Sequence, residues 1–310
     1  MTKALTPLMY STFICIIRIL PFKRSIYRLI KKNYWLRKKV YRDLKPKGKL
    51  TIPVIHSKSF KIIHYGGTIE NEIYWFGLFK SWESEVGWLW VELVKKSSII
   101  IDIGANTGVY SLVAKTINPK SNVYAFEPSL NTFEKLKKNN QLNGFDIKCE
   151  NIALSNLNGM SIFYDTPDEN QTSASLNEEK LKNWDGYNGE INEYLVKTMR
   201  FEDYFEEQLL LELDLIKIDV ELHEPEVIAG MGVLIEKHKP IEFLEVLNST
   251  IAEKLNHLID LENFSLFHLT GINKFNETKI FKAHVEYWNY VLVPKNKLNI
   301  YPFSSFNFTE

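Results

Sequence analysis

Continuous apolar runs alternate with helical periodicity through the second half of the chain. Residues 98–104 and 213–220 are apolar runs rich in β-branched residues, the pattern of strands buried on both faces, and 122–128, 147–154 and 241–247 read as further strands. Between them, helical spacing predicts helices over 107–117, 129–143 (Ser129 as N-cap, Gly144 as C-cap) and 225–235, with another from Ser249. Two last strands, 264–269 and 286–293, have no helical pattern between them and are expected to pair as a hairpin. Strands alternating with helices of this length predict an α/β, doubly wound, mostly parallel sheet ending in an antiparallel strand.

Other segments stand outside this alternation. Residues 161–165 and 193–199 read as strands apart from the main sheet, bracketing a polar stretch, 166–190, of the kind that forms a lid or substrate loop. Residues 49–65 read as a short β segment and 83–95 as a helix, with an aromatic-rich stretch between them. From Pro21 to about Arg42, apolar Phe22, Ile26, Leu29, Ile30, Leu36 and Val40 fall at helical spacing among lysines and arginines. The expected organisation is a basic amphipathic arm (1–48), a lead-in or substrate cap (49–95), the α/β domain (96–296) and a tail (297–310).

Charge sharpens the picture of the arm. The 310 residues carry 38 basic and 38 acidic side chains, yet residues 1–50 hold 14 Lys and Arg against one acid, Asp43. The arm is therefore about +13 and the remainder about −13. A basic amphipathic helix suits an interfacial membrane contact through residues 20–42, with Tyr34 and Trp35 at headgroup level; packing of its apolar stripe on the protein's own acidic body is the alternative. Residues 8–20 are interrupted by Arg18, ended by Pro21 and too short to span a bilayer. No cleavage-site pattern follows, so a cytoplasmic protein is expected, peripheral to the inner membrane face if the arm binds lipid. Two cysteines, Cys15 and Cys149, indicate no disulfide framework.

Candidate chemistry gathers at the strand ends. The first strand of the domain ends at Asp102, and Gly104-Ala105-Asn106-Thr107-Gly108 opens a helix, where free N–H groups and close backbone approach favour a ligand. The spacing is G-x-x-x-G, short of the three glycines of a dinucleotide fingerprint and of a phosphate loop. An acid at position 102 would repel a pyrophosphate but accept from an ammonium, which favours S-adenosylmethionine over NAD. Glu127 ends the next strand and suits the two ribose hydroxyls of either cofactor; Asn151 could reach an adenine edge. Asp219 ends the fourth strand, followed by Glu221 and His223, candidates for the base that a hydroxyl acceptor needs. With Glu245 at the tip of the fifth strand, Asp219 and Glu221 could also gather a hard divalent cation; no metal is assigned. Lys217, mid-strand in an apolar run, has no evident role.

Residues 102–111 (DIGANTGVYS), 124–143 (YAFEPSLNTFEKLKKNNQLN), 151–156 (NIALSN), 213–230 (LDLIKIDVELHEPEVIAG) and 241–245 (IEFLE) together resemble the FkbM family of methyltransferases. The resemblance covers roughly 90–250 and implies a Rossmann-like class I methyltransferase fold with a seven-stranded sheet. It implies methyl transfer from S-adenosylmethionine to an oxygen, with a sugar hydroxyl in a glycan or glycolipid as acceptor. Carried over, Asp102, Gly104, Asn106 and Gly108 would line the methionine end, Glu127 the ribose, and Asp219 and Glu221 the reacting centre. Family members usually read KIDVEGHE, and this chain has Leu222 at that glycine. Leucine disfavours a positive φ, so a silent cofactor-binding module of a glycan-assembly complex is a second expectation, and an NAD-dependent oxidoreductase a third. No nucleic-acid partner is expected, because residues 219–225 (DVELHEP) lack the N/D-P-P-Y/F-type motif of base methylators.

Overall fold

A computed structural model describes residues 12, 15–17, 23–33, 38–166, 174–178, 189–205, 213–299 and 303. Phe22, Tyr34, Trp35, Leu36, ten of the 14 residues of the 297–310 tail and most of the polar 166–190 stretch lie outside the described residues.

The buried runs form the centre of one sheet. Its strands are β3 (Ile99–Ile103), β4 (Asn122–Phe126), β5 (Lys148–Glu150), β9 (Leu213–Ile218), β10 (Ile241–Glu245), β11 (Phe264–Gly271), β12 (Lys274–Thr278) and β13 (Asn289–Pro294), in the order β12-β11-β13-β10-β9-β3-β4-β5. The five from β5 to β10 are mutually parallel. β13 runs antiparallel to β10 and β11 to β13. Each side chain of Ile99–Ile103 is buried, on alternating faces. Ile100 joins the core beneath helices Ser84–Val94 and Val109–Ile117; Ile101 and Ile103 join the core beneath Glu224–Met231 and Ser249–Leu258. Helices therefore cover both faces, as parallel strands require.

Among the described residues the sheet has eight strands, one more than expected. The extra one, β12, follows a tight turn through Asn273, whose φ is +57°, and pairs antiparallel with β11. The terminal hairpin is thus β11–β12, and β13 pairs with β11 after the intervening strand. The run 147–154 is also two strands. Asn151 donates from Nδ2 to the carbonyls of Glu127 (2.9 Å) and Pro128 (2.8 Å), tying the chain to the tip of β4. Beyond it, β6 (Ala153–Leu154) leaves the main sheet for a small one with β7 (Gly159–Asp165) and β8 (Asn192–Met199), ordered β6-β8-β7. The predicted helix 225–235 breaks after Met231, where Gly232 takes φ +55°.

The lead-in is a hairpin, β1 (Gly48–Ile55) with β2 (Lys58–His64), and a helix, Thr68–Phe76, that sequence pattern did not foretell. Ile52, Phe60, Ile62 and Ile73 share one apolar core with the sheet. The arm's helix Lys23–Asn33 packs Tyr27 and Ile30 against Tyr41, Leu44 and Trp75, and Trp75 Nε1 donates to the Leu44 carbonyl (2.8 Å). Of the described stripe residues, Ile26 and Ile30 pack on the protein, while Leu29 and the neighbouring Arg28 face outward. Among the described residues, no helix is long and apolar enough to cross a membrane.

Candidate active site

A cavity of about 730 Å³ opens at the carboxyl ends of β3, β4, β9 and β10, the crevice where open α/β sheets bind ligands. Gly104, Asn106, Glu127, Asp219, Glu221, His223 and Glu245 line it. Asp102, Gly108 and Asn151 stand behind the wall and shape it.

The loop after β3 is fixed by backbone contacts. Gly104 and Ala105 N–H both donate to the Phe126 carbonyl (3.0 and 2.9 Å). Gly104 has φ +81°, and a Cβ there would sit 1.8 Å from the Asp219 carbonyl oxygen, so glycine is required for the loops of β3 and β9 to meet. Asp102 is turned inward: Oδ2 accepts from Ser111 N–H (3.0 Å) and Ser111 Oγ (2.6 Å), clamping the start of the helix. Its side chain shares a face of β3 with Ile100 and lies off the cavity lining. Gly108, at φ +93°, is the N-cap of Val109–Ile117.

Glu127 holds a different position. Oε2 accepts from Asn106 N–H (2.9 Å) and Oε1 from Ser129 N–H (2.9 Å), so the carboxylate is aimed while still facing the cavity. Burial pushes its carboxyl up to about 7, against those two N–H groups. A rigid carboxylate on the strand beside a glycine turn fits the ribose hydroxyls of S-adenosylmethionine, and Phe126, Ile152 and Leu154 supply apolar wall beside it. Asn151 reaches no adenine edge through its amide nitrogen, which is committed to the tip of β4.

The turn after β9 carries the residues expected at the reacting centre. Glu221 and Leu222 have φ +57° and +75°, so leucine takes the conformation for which glycine is usual. Two side chains of segment 174–178 hold it: Ser175 Oγ donates to the Glu221 carbonyl (2.5 Å) and Asn177 Nδ2 to that of Leu222 (3.2 Å). Leu222 is itself buried among Ile103, Ile218 and Val227. Leucine thus takes a positive φ here, so its presence alone gives no reason to expect a silent module. One carboxylate oxygen each from Asp219, Glu221 and Glu245 lies within 4.8 Å of the others. His223 places Nε2 3.0 Å from Ser155 Oγ and Nδ1 3.8 Å from Glu226 Oε2, and burial lowers its pKa. The Ser155 contact occupies Nε2, while Nδ1 is beyond hydrogen-bond distance of Glu226.

Sequence reasoning missed the charged group at the centre of the inner wall. Lys217 Nζ is 2.5 Å from Asp219 Oδ2, 3.7 Å from Glu83 Oε2 and 4.3 Å from the Tyr110 ring centroid. Burial would lower its pKa, but Asp219, Glu83 and Asp102 outweigh it and hold the ammonium charged. A lone lysine in an apolar strand was the available signal; its partners come from distant parts of the chain.

This strand order, with the helix-opening loop and Glu127 at the sheet's carboxyl edge, forms a site for a nucleoside cofactor, and the family match makes the protein a methyltransferase that uses S-adenosylmethionine. The sequence profile described as "Methyltransferase FkbM domain" matches residues 102–265, just over half of the chain. The chain belongs to the FkbM methyltransferase family. It is 25% identical over 182 residues to the hexuronic acid methyltransferase AglP of Haloferax volcanii, covering 56% of this chain and 70% of that protein. It is 28% identical over 148 residues to the 2-O-methyltransferase NoeI of Sinorhizobium fredii, with 44% and 59% covered. Against the 31-O-demethyl-FK506 methyltransferase FkbM of Streptomyces tacrolimicus the identity is 27% over 161 residues, with 46% and 62% covered. The matches thus span less than two thirds of the last two relatives.

Proposed function

We propose that this enzyme transfers a methyl group to a hydroxyl of a sugar in a glycan or lipid-linked glycan. The observation that carries the reading is the two-sided cavity. Glu127, the 104–108 loop and the apolar Phe126, Ile152 and Leu154 line one side. Trp82, Glu85, Tyr287, Trp288 and Asn289 line the other, a mix of flat apolar faces and hydrogen-bonding groups that suits a sugar ring. Similarity to a hexuronic acid methyltransferase and a 2-O-methyltransferase supports the same acceptor class.

In this reading the 104–108 loop holds the methionine end and Glu127 the ribose. The cofactor supplies an electrophilic methyl group on a sulfonium. Glu127 orients the nucleoside, the aromatic side chains exclude water and align the acceptor, and the acidic groups at the ends of β9 and β10 face its hydroxyl. Asp102, Gly108 and Asn151 act indirectly, by fixing the loop and the tip of β4. The arm would bring the enzyme to an anionic membrane surface through its basic residues.

The test is incubation with S-adenosylmethionine carrying a deuterated methyl group and extracted cell-envelope glycans, read by mass spectrometry of released sugars. Label in an O-methyl sugar is expected; label confined to protein or nucleic acid would contradict the acceptor class. Co-sedimentation with anionic vesicles, full chain against one lacking residues 1–45, tests the arm. Binding that is lost on truncation and weakened by salt is expected, and equal binding of both chains refutes it.

A further inference from the structure

Glu83 enters the cavity from outside the matched domain. It precedes helix Ser84–Val94 as its N-cap and takes φ +42°, ψ +47°, a left-handed conformation that glutamate rarely adopts. Non-glycine residues held this way cluster where a side chain must be aimed. Glu83 caps nothing with its side chain. Instead Oε2 accepts from the Tyr110 hydroxyl and lies 3.7 Å from Lys217 Nζ, and the side chain is only 15% exposed.

The groups facing Glu83 come from three elements. Tyr110 is on helix Val109–Ile117, Lys217 and Asp219 are on and just beyond β9, and Glu85 is on its own helix, where Oε1 accepts from Asn289 Nδ2 (3.0 Å). Asp219, at 2.5 Å from Lys217, forms the close ion pair; Glu83, at 3.7 Å, is the looser partner of the same ammonium. One positive charge thus faces Asp219, Glu83 and Asp102; Asp219 is closely paired and Asp102 is bonded to Ser111, which leaves Glu83 placed to take up a proton.

We propose that Glu83 is the general base that receives the proton of the acceptor hydroxyl. The assignment rests on the sugar-hydroxyl reading above and names a residue of that site. As the hydroxyl oxygen forms its bond to the methyl carbon, the sulfur–methyl bond breaks and its electron pair stays on sulfur. The O–H proton passes to the Glu83 carboxylate and from there to water. Tyr110 and Lys217 are positioning residues: the hydroxyl fixes the carboxylate's rotamer, and the ammonium keeps Asp219 anchored. Burial pushes the Glu83 carboxyl up to about 7, opposed by Lys217, which suits a base working near neutral pH.

The experiment compares the full-length protein with Glu83→Gln and Glu83→Asp. The probes are methyl glycosides of a hexose, a deoxyhexose and a hexuronic acid, with S-adenosylmethionine, across the neutral pH range. For the wild type, turnover is expected to rise as pH passes through about 7. Glu83→Gln should lose about 10²–10⁴-fold in turnover and lose that limb, while calorimetric affinity for S-adenosylmethionine stays unchanged; Glu83→Asp should recover part of the rate. A Glu83→Gln enzyme that keeps its rate and its pH limb overturns the assignment and leaves the methyl-transfer reading standing. If the wild type methylates no probe, the sugar reading fails for them, and infrared titration still decides the base. A carboxyl band titrating near neutrality and missing from Glu83→Gln supports it; no such band overturns it.

Discussion

Replacing Leu222 by glycine restores the residue usual in the family, yet the structure predicts a loss of stability. Two effects oppose each other. Leu222 holds φ +75°, and relieving a left-handed backbone at a non-glycine residue stabilises by about 1–2 kcal/mol. Its side chain is 6% exposed and packed among Ile103, Ile218, Val227 and other apolar neighbours, and truncating a buried leucine costs about 2–5 kcal/mol. Burial wins, so Leu222→Gly should be destabilised by about 1–3 kcal/mol. Leu222→Ala separates the terms, because it loses nearly the same packing and keeps the strain. It should fall about 1 kcal/mol below the glycine variant. Urea denaturation of the three proteins, read by tryptophan fluorescence, gives both differences. A glycine variant more stable than the wild type would refute the claim that packing holds this turn. An alanine variant as stable as the glycine one would refute the strain.

Three further outcomes follow from the buried carboxyls. Burial pushes Glu127 up to about 7 and Glu224 and Glu242 up to about 8; an acid whose folded pKa is raised binds its proton more tightly when folded, so stability is greatest below the ordinary carboxyl range and falls as pH climbs from there to about 8. Thermal midpoints without cofactor should drop over that window, and Glu242→Leu, which removes a carboxyl with both oxygens buried and unbonded, should flatten the drop and raise stability at pH 8 by roughly 1–3 kcal/mol. Asp102→Ala leaves Ser111 N–H without its acceptor and should cost about 1–3 kcal/mol in denaturant unfolding, with turnover per folded molecule far less affected. Tyr110→Phe removes the hydroxyl bonded to Glu83 and should lower turnover while leaving calorimetric cofactor affinity unchanged, whereas loss of cofactor binding would place Tyr110 in the wrong half of the cavity.

The parallel sheet was legible because Ile99–Ile103 and Leu213–Ile218 are buried on both faces, and continuous β-branched runs have few other uses. Glu127 was legible because a carboxylate at a strand tip beside a glycine turn has few structural roles. What escaped was set by contacts distant in sequence. Strand periodicity places Asp102 on one face, but only the helix above it shows that Ser111 receives the carboxylate. The run 147–154 mixes polar and apolar positions as a single strand could, and its break is made by the Asn151 amide reaching back to β4. β12 is short and mostly exposed, so its polar residues resemble a loop. Glu83 sits in a stretch of tryptophans and acids whose pattern says only that a helix follows, and its entry into the cavity is a product of the left-handed turn before that helix.

The central claim is that Glu127 and the adjoining loop hold S-adenosylmethionine at the carboxyl edge of the sheet. Isothermal titration of S-adenosylmethionine into the wild type and Glu127→Ala tests it most directly. The wild type should bind at one site per chain, and the variant roughly tenfold to a hundredfold more weakly, the loss expected for hydrogen bonds to a charged acceptor, with circular dichroism unchanged. Equal affinity in a folded Glu127→Ala protein would contradict the placement of the cofactor.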